Sequence, residues 1–506
     1  MPTLDRRLAG VLLHPTSLPG PHGSGDFGPG AFHFVDWLAE ARQGVWQMLP
    51  LVPVGPGNSP YASVSAFAGS PLLVALEPLR DAGWLPPSDA AVPPGLPDGR
   101  VDFERVIPWR MAALRAAQAG FGRRASAAER GDFERFCAEE ARWLDDYALF
   151  MALDDHYRAQ GVERWSRWDA ALARSDPVAL EAARREHAEA IGFWRFAQWC
   201  FFTQWRRVKA YAAARGVRLV GDLPIFVAHH SADCWARPEL FQLDEVHEPR
   251  VVAGVPPDYF SPDGQRWGNP LYDWQAMAAD GFEWWIARLR HELARADLVR
   301  IDHFRGFAGY WEIPASCPTA VEGRWVPAPG QALFAALKAA LGEDLPVIAE
   351  DLGVITPDVE ALRDDNGLPG MRILQFGLGG GPADPFLPHH YVPNCCAYTG
   401  SHDNDTALGW WRSAPAADRA FAARYLGIDA DDEARAPWAM VRAVWASVAR
   451  LAVCQMQDVL GLGSEHRMNT PGKLDCWTWR FTWDQVGPEP ARRLAELTAV
   501  YGRSAG

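Results

Sequence analysis

Eight short apolar runs, each closing on polar residues and separated by helical pattern, constrain this chain more than any other feature. They cover residues 10–14, 45–51, 217–222, 298–302, 346–350, 371–376, 395–399 and 453–458. Runs this short and apolar suit strands buried on both faces of a sheet, and parallel neighbours require helical crossovers. Eight such units predict an α/β fold of the closed (β/α)8 TIM-barrel type.

The spacing is uneven. One crossover helix cannot account for residues 51–217, and Ala-, Arg- and Glu-rich stretches such as 127–155 and 179–205 predict several helices there. Residues 1–85 are therefore expected to begin the barrel, 86–215 to form a mostly helical insertion, and 216–506 to complete the barrel. Residues 86–99, rich in Pro and Gly, read as a surface loop, and residues 243–273 also read as loop.

Composition excludes several function classes. The 506 residues hold 49 Lys plus Arg against 63 Asp plus Glu, a net charge of −14. Phosphate contacts need clustered cations, so neither nucleic acid nor a membrane surface is an expected partner. At 48% hydrophobic and 22% charged, the chain reads as a folded globular protein. Its 24 Trp predict an aromatic-lined cleft as well as a packed core. The eight cysteines are irregularly spaced and form no Cys-x-x-Cys, which predicts no disulfide framework and fits a reducing cytoplasm. The apolar run at 8–13 is too short for a signal-peptide core, and no stretch approaches a membrane span.

Gly23, Gly25 and Gly28 match G-x-G-x-x-G, but Pro19-Gly20-Pro21 spoils the tight strand-to-helix turn that pyrophosphate binding needs. No Walker-type loop, G-x-S-x-G elbow or H-E-x-x-H occurs. The pairs His229-His230 and His389-His390 are adjacent in sequence, and neighbours on an extended chain point apart. No cofactor and no catalytic metal is expected.

The informative residues are acids at strand ends. Asp222, Asp302, Glu350 and Asp403 each follow an apolar run, which places them at the C-terminal mouth of a barrel. Crowded like charges raise one another's pKa and cost stability, an arrangement tolerated chiefly where chemistry uses it. Paired carboxylates are what glycoside chemistry requires. Arg300 and Asp302 are two apart on a strand and share a face, so the guanidinium would keep Asp302 ionised and oriented, as suits a nucleophile. Glu350 follows Val347-Ile348-Ala349, an apolar approach that suits a general acid. Asp351 is the competing acid, but strand alternation sends it to the opposite face. Asp403 lies between His402 and Asn404, a cluster able to hydrogen-bond sugar hydroxyls.

Several longer motifs carry a resemblance. Gly10-Val-Leu-Leu-His-Pro-Thr-Ser-Leu-Pro-Gly20, Arg300-Ile-Asp-His-Phe-Arg-Gly306, Ala349-Glu-Asp-Leu-Gly353 and Thr399-Gly-Ser-His-Asp-Asn-Asp-Thr406 resemble 4-α-glucanotransferases of the amylomaltase family. So do Val255-Pro-Pro-Asp-Tyr-Phe260, Gln265-Arg-Trp-Gly-Asn-Pro270 and Arg467-Met-Asn-Thr-Pro471. The resemblance runs in order through nearly the whole chain. It implies a retaining transferase moving α-1,4-glucan segments to glucose or another α-1,4-glucan, with maltooligosaccharides, starch or glycogen as substrates. Asp302 would be the nucleophile, Glu350 the acid/base and Asp403 the transition-state stabiliser. It also implies substrate contacts at Asp222, Arg300 and His402, with Tyr61, Gln265, Trp267, Phe376 and Asn469 lining neighbouring subsites. Tyr259 and Phe260 would lie on the substrate-covering loop near 243–273. Two departures stand out: His230 replaces the Asp that usually precedes Ser-Ala-Asp, and Asp475-Cys476-Trp477 replaces the usual Gly-Asn-Trp. A hydrolase on the same barrel, or a silent glucan-binding protein, are the competing readings; the complete acid set speaks against the second.

Overall fold

The computed structural model describes residues 4–257 and 261–504. Eight parallel strands close into a barrel: β1 (Leu8–Leu12), β2 (Val45–Gln47), β3 (Arg218–Pro224), β6 (Leu298–Asp302), β9 (Val347–Ala349), β10 (Gly370–Ile373), β11 (Cys395–Tyr398) and β12 (Leu451–Gln455). They follow one another around the ring, and β12 pairs with β1 to close it. Each corresponds to one of the eight apolar runs, because strands buried on both faces carry continuous hydrophobic sequence. Three runs well outlast their strands, and residues 48–51 continue β2 as irregular chain. Residues 374–377 and 456–459 leave the strand and form helical turns at the mouth.

Between β2 and β3 lie the helices Phe103–Arg124, Ala127–Glu139, Ala141–Arg158, Pro177–Glu186 and Ala188–Ala214. The last buries side chains on nearly every side, Phe193, Trp194, Phe196, Trp199, Phe201 and Trp205 among them. It touches the helix Pro29–Glu40 and β3, so it serves both the helical layer and the barrel wall. Packing also accounts for much of the tryptophan. Trp46, Trp165, Trp205, Trp235, Trp285, Trp411 and Trp445 are each under 2% exposed, whereas Trp267 and Trp325 stand open.

Residues 243–273 are not simply loop. They contain β4 (Val251–Val255) and β5 (Gln265–Pro270), which join β7 (Gly309–Pro314) and β8 (Arg324–Pro327) in an antiparallel sheet ordered β5-β4-β7-β8. β4 is ordered by pairing with β7, some sixty residues downstream, a partner no local pattern reveals. The sheet grows from the loops after β3 and β6, and so stands beside the mouth. No helix among the described residues is long and apolar enough to cross a membrane.

Candidate active site

Register assembles the charged centre. Asp222 on β3 is paired with Arg300 on β6, Pro224 with Asp302, and Ile301 with Ala349 of β9. Asp302 and the residue after Ala349, Glu350, therefore emerge side by side. Arg300 sits between two acids: Nη1 donates to both oxygens of Asp222 at 2.8 Å, and Nη2 donates to Asp302 Oδ1 at 2.8 Å. Burial opposes the guanidinium's charge, yet Asp222 and Asp302 hold it protonated well above its ordinary range. The expected orientation of Asp302 by Arg300 is present.

Glu350 is different in kind. Burial, then the charge of Asp302, push its pKa up to about 8. Two backbone N–H groups pull the other way, His303 on Oε2 at 2.6 Å and Leu352 on Oε1 at 3.0 Å. His303 reaches that position in the left-handed region, at φ +53°, a conformation costly for a residue with a Cβ. Burial and the charge of Arg305 push the His303 imidazole down to about 3, so it is neutral. Asp351 faces away, as strand alternation required. It is buried against Arg363 and Arg372, and it accepts the Met371 N–H at 2.6 Å.

The opposite rim comes from the loop after β11. Asp403 accepts from Asn469 Nδ2 at 2.6 Å, Arg467 donates to its carbonyl, and His402 Nε2 lies 3.4 Å from Oδ1. Its side chain is 42% exposed and that of Asp302 is 29% exposed, so both carboxylates open to the mouth. Tyr61 joins the two rims. Its hydroxyl donates to Asp222 Oδ2 at 2.8 Å, and its ring stacks on His402 with centroids 5.2 Å apart at 12°.

Trp267 presents its ring edge-on to His303 at 4.7 Å and donates Nε1 to Gln265 Oε1 at 3.1 Å, so Trp267 meets the site directly and Gln265 braces it. Phe376 stands 46% exposed on the turn after β10, its ring packed edge-on against Phe386. Tyr259 and Phe260 lie outside the described residues. Sequence reasoning missed His303, Leu352, Arg467 and Trp477, although all four sit inside quoted segments. Trp477 lies 5.6 Å from the ring of Tyr61 and 6.0 Å from that of His402, closing the wall behind them. His14, at the end of β1, is pushed down to about 3 by burial and by His402, and is also neutral.

The remaining motifs resolve into protein contacts. Asp26, inside the glycine motif, accepts the Gly28 N–H at 3.0 Å and pairs with Arg110. His229 bonds the His247 carbonyl and His230 bonds Asp154 at 2.8 Å. His389 and His390 do not diverge: a 3-10 turn brings both Nε2 atoms to the Pro382 carbonyl. Each of the eight cysteines is a free thiol. Among the described residues, one set with metal-like spacing is formed by His22, Asp26 and Glu77, with His22 Nδ1 3.6 Å from an oxygen of each acid. Arg110, 2.9 Å from that Asp26 oxygen, already supplies the positive charge there.

The family model described as 4-alpha-glucanotransferase matches residues 13–485. A 4-alpha-glucanotransferase of Thermus thermophilus is 53% identical over 503 residues, 98% of this chain and 99% of the relative. One from Synechocystis is 47% identical, with 99% of each chain covered. The solved structure of an amylomaltase from Streptococcus agalactiae in complex with acarbose superposes with a TM-score of 0.94 at 37% identity, covering 99% of this chain and 100% of that one. The chain belongs to the 4-α-glucanotransferase family.

Proposed function

We propose that this enzyme transfers segments of α-1,4-glucan to the 4-hydroxyl of glucose or of another α-1,4-glucan, with Asp302, Glu350 and Asp403 carrying the chemistry. The observation that supports this most directly is the pair at the ends of β6 and β9: Asp302 oriented by Arg300, beside Glu350 that stays protonated up to about pH 8. In the first step Asp302 attacks the anomeric carbon and Glu350 passes its proton to the departing glycosidic oxygen. The C–O bond to the leaving chain breaks as the ester to Asp302 forms. In the second step Glu350, now ionised, takes the proton of an acceptor 4-hydroxyl, whose oxygen displaces Asp302 and restores the original stereochemistry. Asp403, held by Asn469, accepts hydrogen bonds from ring hydroxyls of the sugar being cleaved, and Asp222, Arg300, His402 and Tyr61 frame that sugar.

Gln265, Trp267 and Phe376 offer surfaces for neighbouring glucose rings. Tyr259 and Phe260 follow the stiff Pro256-Pro257, and in this reading they cover the acceptor and shed water, favouring transfer over hydrolysis. Residues 86–215 are read as an insertion beside the catalytic barrel, and the cytoplasm as the place of action. Incubation with maltotriose alone tests the function. Glucose plus a ladder of longer chains, with reducing ends conserved, is the expected product set, and Asp302→Asn should abolish it in a folded protein. A rise in reducing ends without longer chains would mean hydrolysis instead.

A further inference from the structure

The loop after Glu350 is held from two directions. On the near side Asp351 is buried and bonded to Arg363 and the Met371 N–H. On the far side the chain turns at Gly353, φ +85°, and Arg305 Nη1 donates to the Val354 carbonyl. Leu352 and Ile355 are half-buried against the core, but between them the chain turns at an easily deformed glycine and Val354 is 60% exposed, so packing alone leaves the turn itself unsupported. Arg305 is well placed to anchor it. The residue is buried, and its guanidinium lies 3.7 Å from the ring centroid of Trp325. Trp325 stands on β8 and packs against Trp311 of β7, with centroids 5.2 Å apart. Between the two anchors lies Leu352, whose N–H donates to Glu350 Oε1.

We propose that Arg305 is a positioning residue for Glu350: it pins residues 352–354 so that the Leu352 N–H stays on the Glu350 carboxylate. The proposal rests on the reading of Glu350 as the acid/base and deepens it. The groups acting on Glu350 are Asp302 and Arg300 from β6 and the N–H groups of His303 and Leu352; the acid acting on Arg305 is Asp358. Asp302 favours the neutral form of Glu350, whereas Arg300 and both N–H groups favour the ionised form. Freeing the Leu352 N–H removes a bond to the ionised form, so Glu350 keeps its proton to higher pH. The task suits arginine, whose planar fork stacks on an indole while donating in its own plane; lysine keeps the charge and loses that geometry.

The test uses the full chain carrying Arg305→Lys and, separately, Trp325→Ala. The second removes a half-exposed ring from an edge strand and leaves the barrel core untouched, so it carries the test if the first fails to fold. The pH dependence of kcat/KM is measured with maltotriose and with α-maltotriosyl fluoride, whose leaving group needs no proton. In Arg305→Lys the basic limb on maltotriose should move up by about one unit, with activity down about tenfold, while the fluoride changes by less than about twofold. Trp325→Ala should move both in the same direction by less. An unmoved limb in the folded variants, or equal losses on both donors, overturns the role of Arg305. Glu350→Gln tells this failure from the other: wild-type activity on maltotriose in that variant would sink the acid/base reading itself.

Discussion

Glu350 concentrates the physics of the site in one carboxyl group. Its burial and the neighbouring charge of Asp302 outweigh Arg300 and two N–H donors, so the balance falls on the side of the proton, with a pKa of about 8. The first step needs that proton; kcat/KM on maltotriose should therefore fall through a basic limb near pH 8, and Glu350→Gln should lack both the limb and the activity. The sign for stability follows. A carboxyl with a raised folded-state pKa binds more protons folded than unfolded, so its contribution falls as pH rises from about 4.5 through 8. That Glu350 rather than Asp351 faces the mouth was legible from strand alternation alone. The left-handed turn at His303 was not, because nothing about a histidine announces φ +53°. Only the demand for an N–H on Glu350 gives that strain a use.

Among the elements, the segment 468–477 acts as a clasp. The Asn469 N–H bonds the His402 carbonyl, the Trp477 N–H bonds the Met468 carbonyl, and the Thr470 N–H meets Cys476 Sγ at 3.3 Å. The departure at Cys476 therefore falls inside the clasp, where the sulfur accepts a bond that helps hold its shape. Asn469, so held, points at Asp403. Asn469→Ala removes a charge-assisted hydrogen bond of about 1.5–3 kcal/mol, and kcat should fall about 10- to 100-fold with the unfolding transition little changed. A kcat within twofold of wild type would show that Asp403 is oriented by other groups. The clasp was invisible in the sequence, since 468–477 has no periodic pattern and its partners lie some seventy residues upstream. Strand β4 depends in the same way on a distant partner, β7, and β5 is in turn paired on β4.

At the scale of the whole molecule, one buried arginine near the C-terminus ties the barrel seam. Arg503 is 0% exposed and donates to the carbonyls of Leu8, Trp445 and Ser447, joining the chain's end to the start of β1 and to the segment before β12. Arg7 Nη2 also reaches the Trp445 and Ser447 carbonyls, at 3.2 and 2.9 Å, so Arg503→Ala would thin a shared donor set rather than empty it, at a cost of about 1–3 kcal/mol. The expected result is a lower urea midpoint with unchanged kcat at low temperature, because the seam lies at the end of the barrel opposite the mouth. An unchanged midpoint would mean that β1–β12 pairing and Arg7 close the seam without Arg503. The barrel, its eight strands and the opposed faces of Glu350 and Asp351 were determined by the sequence itself, because strand burial and period-two alternation are written locally. The proton on Glu350, the left-handed His303, the clasp on Asp403 and the antiparallel sheet beside the mouth were decided only by the tertiary structure. Each depends on a low-dielectric neighbourhood or a hydrogen-bond partner distant in the chain, and these exist only once the barrel has closed.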